Sequence, residues 1–379
     1  MSARTSNGPG ILTRVFGSQW FVSVLAVLIA FVIGAVLIAL SGASVVDAYY
    51  AMFRGSIVDP NAATFVRQIK PLTDSLFYSI PLIISGLGLA LGFRAGLFNI
   101  GGKGQIIVGA LAAVWVGFAV SLPPVVHTLV ALLVAVIAGG LYGGIAGVLK
   151  AKTGANEVIV TIMLNSIATL GLGYVLAQKA WQVPGSNQPV TPKVADSAAL
   201  TRLLPAPFKL HVGFIVALVA LAFFWWLIER STLGFQIRAV GANAAAARTA
   251  GISVERITAI TMVLSGAFLG LAGANEALGT IGYVSRDVAG SIGFDAITVA
   301  LLGRNKTWGT FGAGLLFGAF KAGGYTMQAK GVPIDMILIL QSVIVLLIAA
   351  PALVRWLFRL PDVRALAAQT RKGNADEHK

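Results

Sequence analysis

From residue 20 onward the chain falls into successive apolar runs of about 20 residues, and this repeat restricts the fold more than any other feature. A helix of that length crosses a hydrocarbon core about 30 Å thick. In lipid, every backbone N–H and C=O must be satisfied within the segment, so the runs are read as helices and the fold as all-α. They lie at Trp20–Leu40 and near 75–93, 105–122, 125–148, 158–177, 212–229, 257–280, 293–303, 309–328 and 334–353, giving about ten transmembrane helices, one of them short. Of 379 residues, 57% are hydrophobic and only 11% charged, against about 25% charged in a soluble domain. That excludes a soluble enzyme, a secreted toxin and a disordered scaffold. The longest polar gaps, 42–74, 178–211, 230–256 and the tail after Pro351, are too short for a soluble domain. The reading is one membrane domain over 20–353, preceded by a segment at 1–19 and followed by a basic tail at 354–379. The first run exceeds a signal peptide's apolar core and is read as a retained helix.

The net charge of +14 fits a membrane protein whose basic loops face the cytoplasm better than a nucleic-acid binder. With the N-terminus inside, the inner segments hold 18 Lys and Arg and the outer ones nine, which favours N-in/C-in; Lys321 falls within a span. There is no cysteine, and His127, His211 and His378 are far apart, so no metal site is expected. The proline-rich gap 178–211 reads as an external loop, and Val45 to Phe53 as an amphipathic helix at the outer interface. Glycines at helical spacing, Gly139/Gly143/Gly147, Gly266/Gly270 and Gly314/Gly318, read first as close helix packing.

Polar residues inside or beside the spans are costly, which makes them the functional candidates. The run Arg94 to Gln105 breaks a helical join with glycines around Asn99. It is no P-loop, because Gly96 is one residue too close to Gly102-Lys103 and Lys103 precedes a glycine. Asn156-Glu157 opens a span that carries Asn165 two turns in; Glu157 also reads as an ordinary acid at a helix N-terminus. Asn275-Glu276 lies within 257–280, with Arg286 as an ion-pair candidate, and Asp295 follows Gly290-Ser291-Ile292-Gly293. Phe98 offers a stacking face or plain packing. In the basic connector, Asn243 and Gly251 read as the cap and terminator of a short alanine-rich helix from Asn243 to Ala250, bracketed by Gly241 and Gly251. It serves as a simple connector or as a rigid peg for a cytoplasmic partner. No nucleophile or acid–base set suggests covalent chemistry, so transport is the class.

Four runs, Phe93 to Gly101, Ala155 to Asn165, Ile237 to Ile252 and Gly293 to Gly303, resemble permeases of the branched-chain amino acid/sugar family of ABC importers, in the nucleoside and simple-sugar branch. The resemblance covers roughly residues 20–355. It implies a type II importer permease in the bacterial inner membrane, paired with a second related permease or with itself. It also implies cytoplasmic ATPases that bind the ATP, an external substrate-binding lipoprotein and no cofactor in this chain. The segment 234–252, with Arg238, Gly241, Asn243, Arg248 and Gly251, matches the family's coupling helix. The substrate path is then expected at Phe98, Asn99, Asn165, Asn275, Glu276 and Asp295, with nucleosides as cargo and simple sugars as the alternative. An ion-coupled secondary transporter using Glu276 or Asp295 is the competing class.

Overall fold

The computed structural model describes residues 19–329 and, beyond them, positions 331–333, 336, 338, 339, 342, 343, 346 and 347. The N-terminal segment, the basic tail and most of the expected span 334–353 lie outside the described residues. The helices in order are α1 (Gln19–Leu40), α2 (Val45–Ser56), α3 (Phe65–Arg94), α4 (Gly102–Ala119), α5 (Val126–Thr153) and α6 (Glu157–Ala177). They continue with α7 (Gly213–Arg230), α8 (Thr232–Ala242), α9 (Ala244–Thr249), α10 (Val254–Asn275), α11 (Ile292–Leu302) and α12 (Thr307–Gln328). A wide π turn, Glu276–Thr280, extends α10. Among the described residues the β-type pairing is one isolated bridge, Arg202 with His211.

Among the described residues six helices are long and apolar enough to cross a membrane: α3, α4, α5, α6, α7 and α10 with its π turn. Two more, within α1 and at α11, are apolar but shorter. α3 runs 30 residues and begins ten before the expected 75, because Pro71 and the polar Arg67, Gln68, Lys70 and Asp74 disguise its first turns. Thr64 caps it, accepting the Arg67 N–H.

The described residues fall into two compact units, one with 19–50 and the described positions from 327 on, the other with 51–326. In the first, Tyr49 donates to the Phe31 carbonyl and its ring meets the Phe31 edge. The second contains α3 to α11 and most of α12. Its core is the pair α5 and α10, whose contact is the most extensive among the described helices. Glycines permit it: a Cβ on Gly139 would lie 2.5 Å from the Gly266 carbonyl oxygen, and one on Gly143 2.6 Å from that of Met262. The helical spacing is therefore a packing stripe, where small residues let backbones approach.

Contacts also set depth. The Gly104 N–H donates to Asn165 Oδ1 at 2.8 Å, and Asn165 sits eight residues into α6, about 12 Å from its start. α4 therefore begins inside the bundle, not at its rim. Gly293, at the start of α11, packs on Gly102 and Lys103. Beyond the other end of α11, the Asn305 carbonyl accepts from Arg94 Nε at 2.7 Å. Eleven residues of helix reach only about 16 Å, half the hydrocarbon thickness. The expected short span at 293–303 is an eleven-residue helix, preceded by irregular chain at 281–291. The N-termini of α4 and α11 meet there.

Candidate functional site

Three regions carry polar or strained groups. The first is the broken join between α3 and α4. Gly96 takes φ +72°, which turns the chain back inward after Arg94. Asn99 is buried, and its Nδ2 donates to Gln105 Oε1 and to Ser265 Oγ, both at 3.0 Å. Its Oδ1 accepts from the Gly101 N–H at 2.9 Å and from Gln105 Nε2 at 3.2 Å. Asn165 completes the knot, donating to the Ile100 carbonyl at 2.8 Å while it accepts from Gly104. Thr161 Oγ1 accepts the Ile100 N–H at 3.2 Å. Side chains thus accept the N–H groups of Ile100, Gly101 and Gly104. Glu157 accepts from the Phe98 N–H at 3.4 Å and pairs with Lys150. Phe98 is partly exposed, its ring edge-on to Phe93 at 4.9 Å. Beside the knot, an open groove of about 680 Å3 is lined by Lys103, Asn165, Ser166, Thr169 and Phe294, with Ile100 at its base. Asp295, in the first turn of α11, accepts from Ser291 Oγ at 2.6 Å.

The second region is the helical elbow of α8 and α9. Asn243 caps α9, its Oδ1 accepting the Ala246 N–H at 3.0 Å. At the far end the Gly251 N–H returns to the Arg248 carbonyl and the Ile252 N–H to that of Ala247, each at 3.0 Å, with Gly251 at φ +83°. The short helix is real, but Gly241 does not bracket it. Gly241 lies in the last turn of α8 and abuts the Arg94 carbonyl so closely that a Cβ has no room. Sequence could not show this, because the neighbour that demands glycine lies far off in the chain. Arg248 pairs with Glu255 at 2.6 Å on the exposed face. Arg238 is half-buried with Nη1 unpartnered. Phe235, Ala239, Ala246 and Ala250 line an apolar groove of about 570 Å3 between the two helices, and Phe235 is exposed.

The third region lies at the opposite end of the bundle, around the π turn. Asn275 is buried with both amide atoms unpartnered. Glu276 is buried and accepts from Thr280 Oγ1 at 3.3 Å. The cation acting on it is Lys321 of α12, which also acts on Asp295; Arg286 forms no ion pair with it. The His211 ring fills the slot between Gly213 and Gly279, where a Cβ on Gly279 would lie 2.5 Å from Cε1. His211 Nδ1 accepts the Gly213 N–H at 3.0 Å, while Nε2 is buried without a partner, and burial pushes the imidazole down to about 4. The proline-rich loop 178–211 is laced to the chain leaving the turn: the Leu200, Val194 and Thr191 N–H groups donate to the carbonyls of Leu278, Gly282 and Val284, each at 3.0 Å.

Above this turn opens a vestibule of about 1010 Å3 that the sequence reading did not anticipate. Its walls include Asp74 and Tyr78 of α3, Tyr325 of α12, and Arg54, Arg67 and Lys209. The signal was present in Tyr325, a polar residue within an apolar run, but only the packing of α12 on α3 brings it to Tyr78. Among the described residues no group of three His, Asp or Glu side chains is placed to hold a metal.

Residues 72–349 match the family model described as the branched-chain amino acid transport system permease component. The chain is 39% identical over 349 residues to a guanosine ABC transporter permease protein of Bacillus subtilis, covering 89% of this chain and 95% of that one. It is 35% identical over 333 residues to a glucose ABC transporter permease protein of Haloferax volcanii, covering 85% of each. A nucleoside ABC transporter permease protein of Lactococcus lactis is 30% identical over 357 residues, covering 92% of this chain and 94% of that one. No solved structure matches. With its bundle of membrane-crossing helices and this match along most of its length, the chain belongs to the branched-chain amino acid transport system permease family, as the membrane-embedded transport subunit of an ABC transporter and not an enzyme.

Proposed function

We propose that this chain is one membrane half of an ATP-driven nucleoside importer, with ten spans over 20–353 and both termini in the cytoplasm. The guanosine and nucleoside permeases among its relatives support the cargo. The glucose permease keeps a simple sugar as the second reading. Cytoplasmic ATPases bind ATP, an external lipoprotein delivers cargo, and a related permease completes the pair; the Bacillus subtilis guanosine permeases number at least two related chains, which supports a heterodimer.

The carrying observation is the seat of Gly241 on Arg94, which joins the α8–α9 elbow to the broken α3–α4 join. Segment 234–252, with Arg238, Gly241, Asn243, Arg248 and Gly251, is the coupling element, and the apolar groove around Phe235 receives the ATPase. A push on α9 passes through Gly241 to Ala95 and then to the knot of Asn99 and Asn165, which holds the inner ends of α4 and α11. The path runs from the vestibule past Glu276 and Lys321 to Asp295 and the groove of Asn165 and Phe294, with Phe98 near its inner mouth. Asn99 and Asn275 stand behind its wall. Membrane-depth groups such as Asn165, Thr169 and Asp295 on an open face would be costly in lipid, which supports a partner permease there.

Proline at Ala247 tests the coupling, because it removes the N–H bond to the Asn243 carbonyl and costs about 3 kcal/mol in a helix. In proteoliposomes with the ATPases and binding lipoprotein, this variant should hydrolyse ATP without guanosine uptake. Uptake at the unsubstituted level would overturn the coupling assignment. Uptake of glucose in place of guanosine by the unsubstituted complex would overturn the cargo.

A further inference from the structure

The vestibule has a composition that a path for small polar cargo does not by itself require. Tyr78 and Tyr325 lie against each other, centroids 5.4 Å apart and rings tilted by 38°, and form an aromatic wall contributed by two helices. Tyr78 is packed into the bundle, whereas Tyr325 remains 44% exposed, so the wall presents a free π face to the cavity. On the same cavity Asp74 uses one carboxylate oxygen to pair with Lys70, while the other, Oδ1, is buried and has no partner. That oxygen accepts only, so it awaits an N–H or O–H donor. Arg54 is engaged with Asp59 at 2.6 Å, but Arg67 and Lys209 have no ion-pair partner among the described residues. The cavity therefore offers a π face, an acceptor and two cationic donors.

We infer that the vestibule is a recognition subsite for a nucleobase that carries both a carbonyl acceptor and N–H donors, with Tyr325 as the stacking platform, Asp74 as the acceptor and Arg67 or Lys209 as donors to the carbonyl. The inference rests on the nucleoside reading and adds to it, because it gives this chain its own contact with the base. A guanine-type base matches all three elements: its planar rings stack, its O6 and N7 accept from Arg or Lys, and its N1–H and N2–H2 donate to a carboxylate. A simple sugar lacks the planar ring and the N–H edge. The wall lies directly above the depth of the membrane path, since Tyr78 is within electrostatic reach of both Asp74 and Glu276, and Lys321 is one helical turn from Tyr325. A base held here waits at the mouth of the path.

The test uses the complete reconstituted transporter in proteoliposomes with ATP and the guanosine-loaded binding lipoprotein, reading guanosine taken up per ATP hydrolysed. Tyr325→Leu should lower that ratio about tenfold, the loss expected for one base–aromatic stack. Tyr325→Phe, which keeps the ring, should retain it, and Asp74→Asn should lower it. Normal stimulated hydrolysis in each variant shows that it is folded and docked. If the unsubstituted complex moves guanosine and Tyr325→Leu moves it equally well, the subsite is wrong and the nucleoside reading stands. If the unsubstituted complex moves only a sugar, the nucleoside reading falls and the subsite falls with it.

Discussion

The broken join around Asn99 and the π turn around Asn275 are both interruptions of helix lined by a buried asparagine, yet they are solved in opposite ways. At the join, every Asn99 amide atom is engaged, with Gln105, Ser265 and the Gly101 N–H, and Asn165 and Thr161 take up the freed Ile100 groups. At the π turn, Asn275 Nδ2, Asn275 Oδ1 and His211 Nε2 are buried without a partner. Irregular backbone at membrane depth is stable only where such groups are satisfied or face a polar cavity. A satisfied knot is stiff, as the proposed coupling through the α8–α9 elbow requires. An unsatisfied cluster holds polar capacity in reserve.

The sharpest way to break this comparison is to remove each amide in turn. Asn99→Leu leaves Gln105, Ser265 and the Gly101 N–H without partners, which should cost on the order of 3–5 kcal/mol and show as a large fall in thermal stability or as failure to assemble. Asn275→Leu removes two atoms that have no partner and should change stability by less than about 1 kcal/mol. Melting curves of the purified complex decide the point, and equal losses for the two variants would erase the distinction.

A smaller effect is expected at Glu276, whose partners are Thr280 and the more distant charge of Lys321. Glu276→Gln should assemble and slow uptake, whereas Glu276→Leu should assemble and abolish it. Normal uptake by the leucine variant would remove Glu276 from the path, and failure of that variant to assemble would make it a structural partner.

The smallest effect concerns pH. His211 is held neutral in the fold, its value pushed by burial from about 6.5 down to about 4. The unfolded chain therefore binds a proton that the folded one does not as pH falls from about 6.5 to about 4. Stability should be complete above that window and decline through it, and His211→Gln should flatten the decline in pH-dependent melting curves. An unchanged slope would show that His211 is not what titrates.

The apolar runs by themselves determined the class of the fold, because a segment that length with so little charge has only lipid as its solvent and only helix as its satisfied backbone. Local chemistry was equally legible: Asn243 and Gly251 end α9 as a cap and a left-handed terminator must, since both devices depend on neighbours within a few residues. Asn99, Asn165, Asn275 and Glu276 stood out for the same reason, a polar group in an apolar context. What each of them does was not legible, because hydrogen-bond satisfaction depends on residues up to 166 positions away, as between Asn99 and Ser265. The glycine at 241 was read as a bracket when it is a contact with Arg94, and the short run at 293–303 forms a helix of eleven residues. Composition sets how much apolar surface a helix offers, but only packing sets the depth at which that helix begins. The vestibule follows the same rule: Asp74, Tyr78 and Tyr325 are ordinary residues in their own helices, and become a site only because α3 and α12 cross where they do.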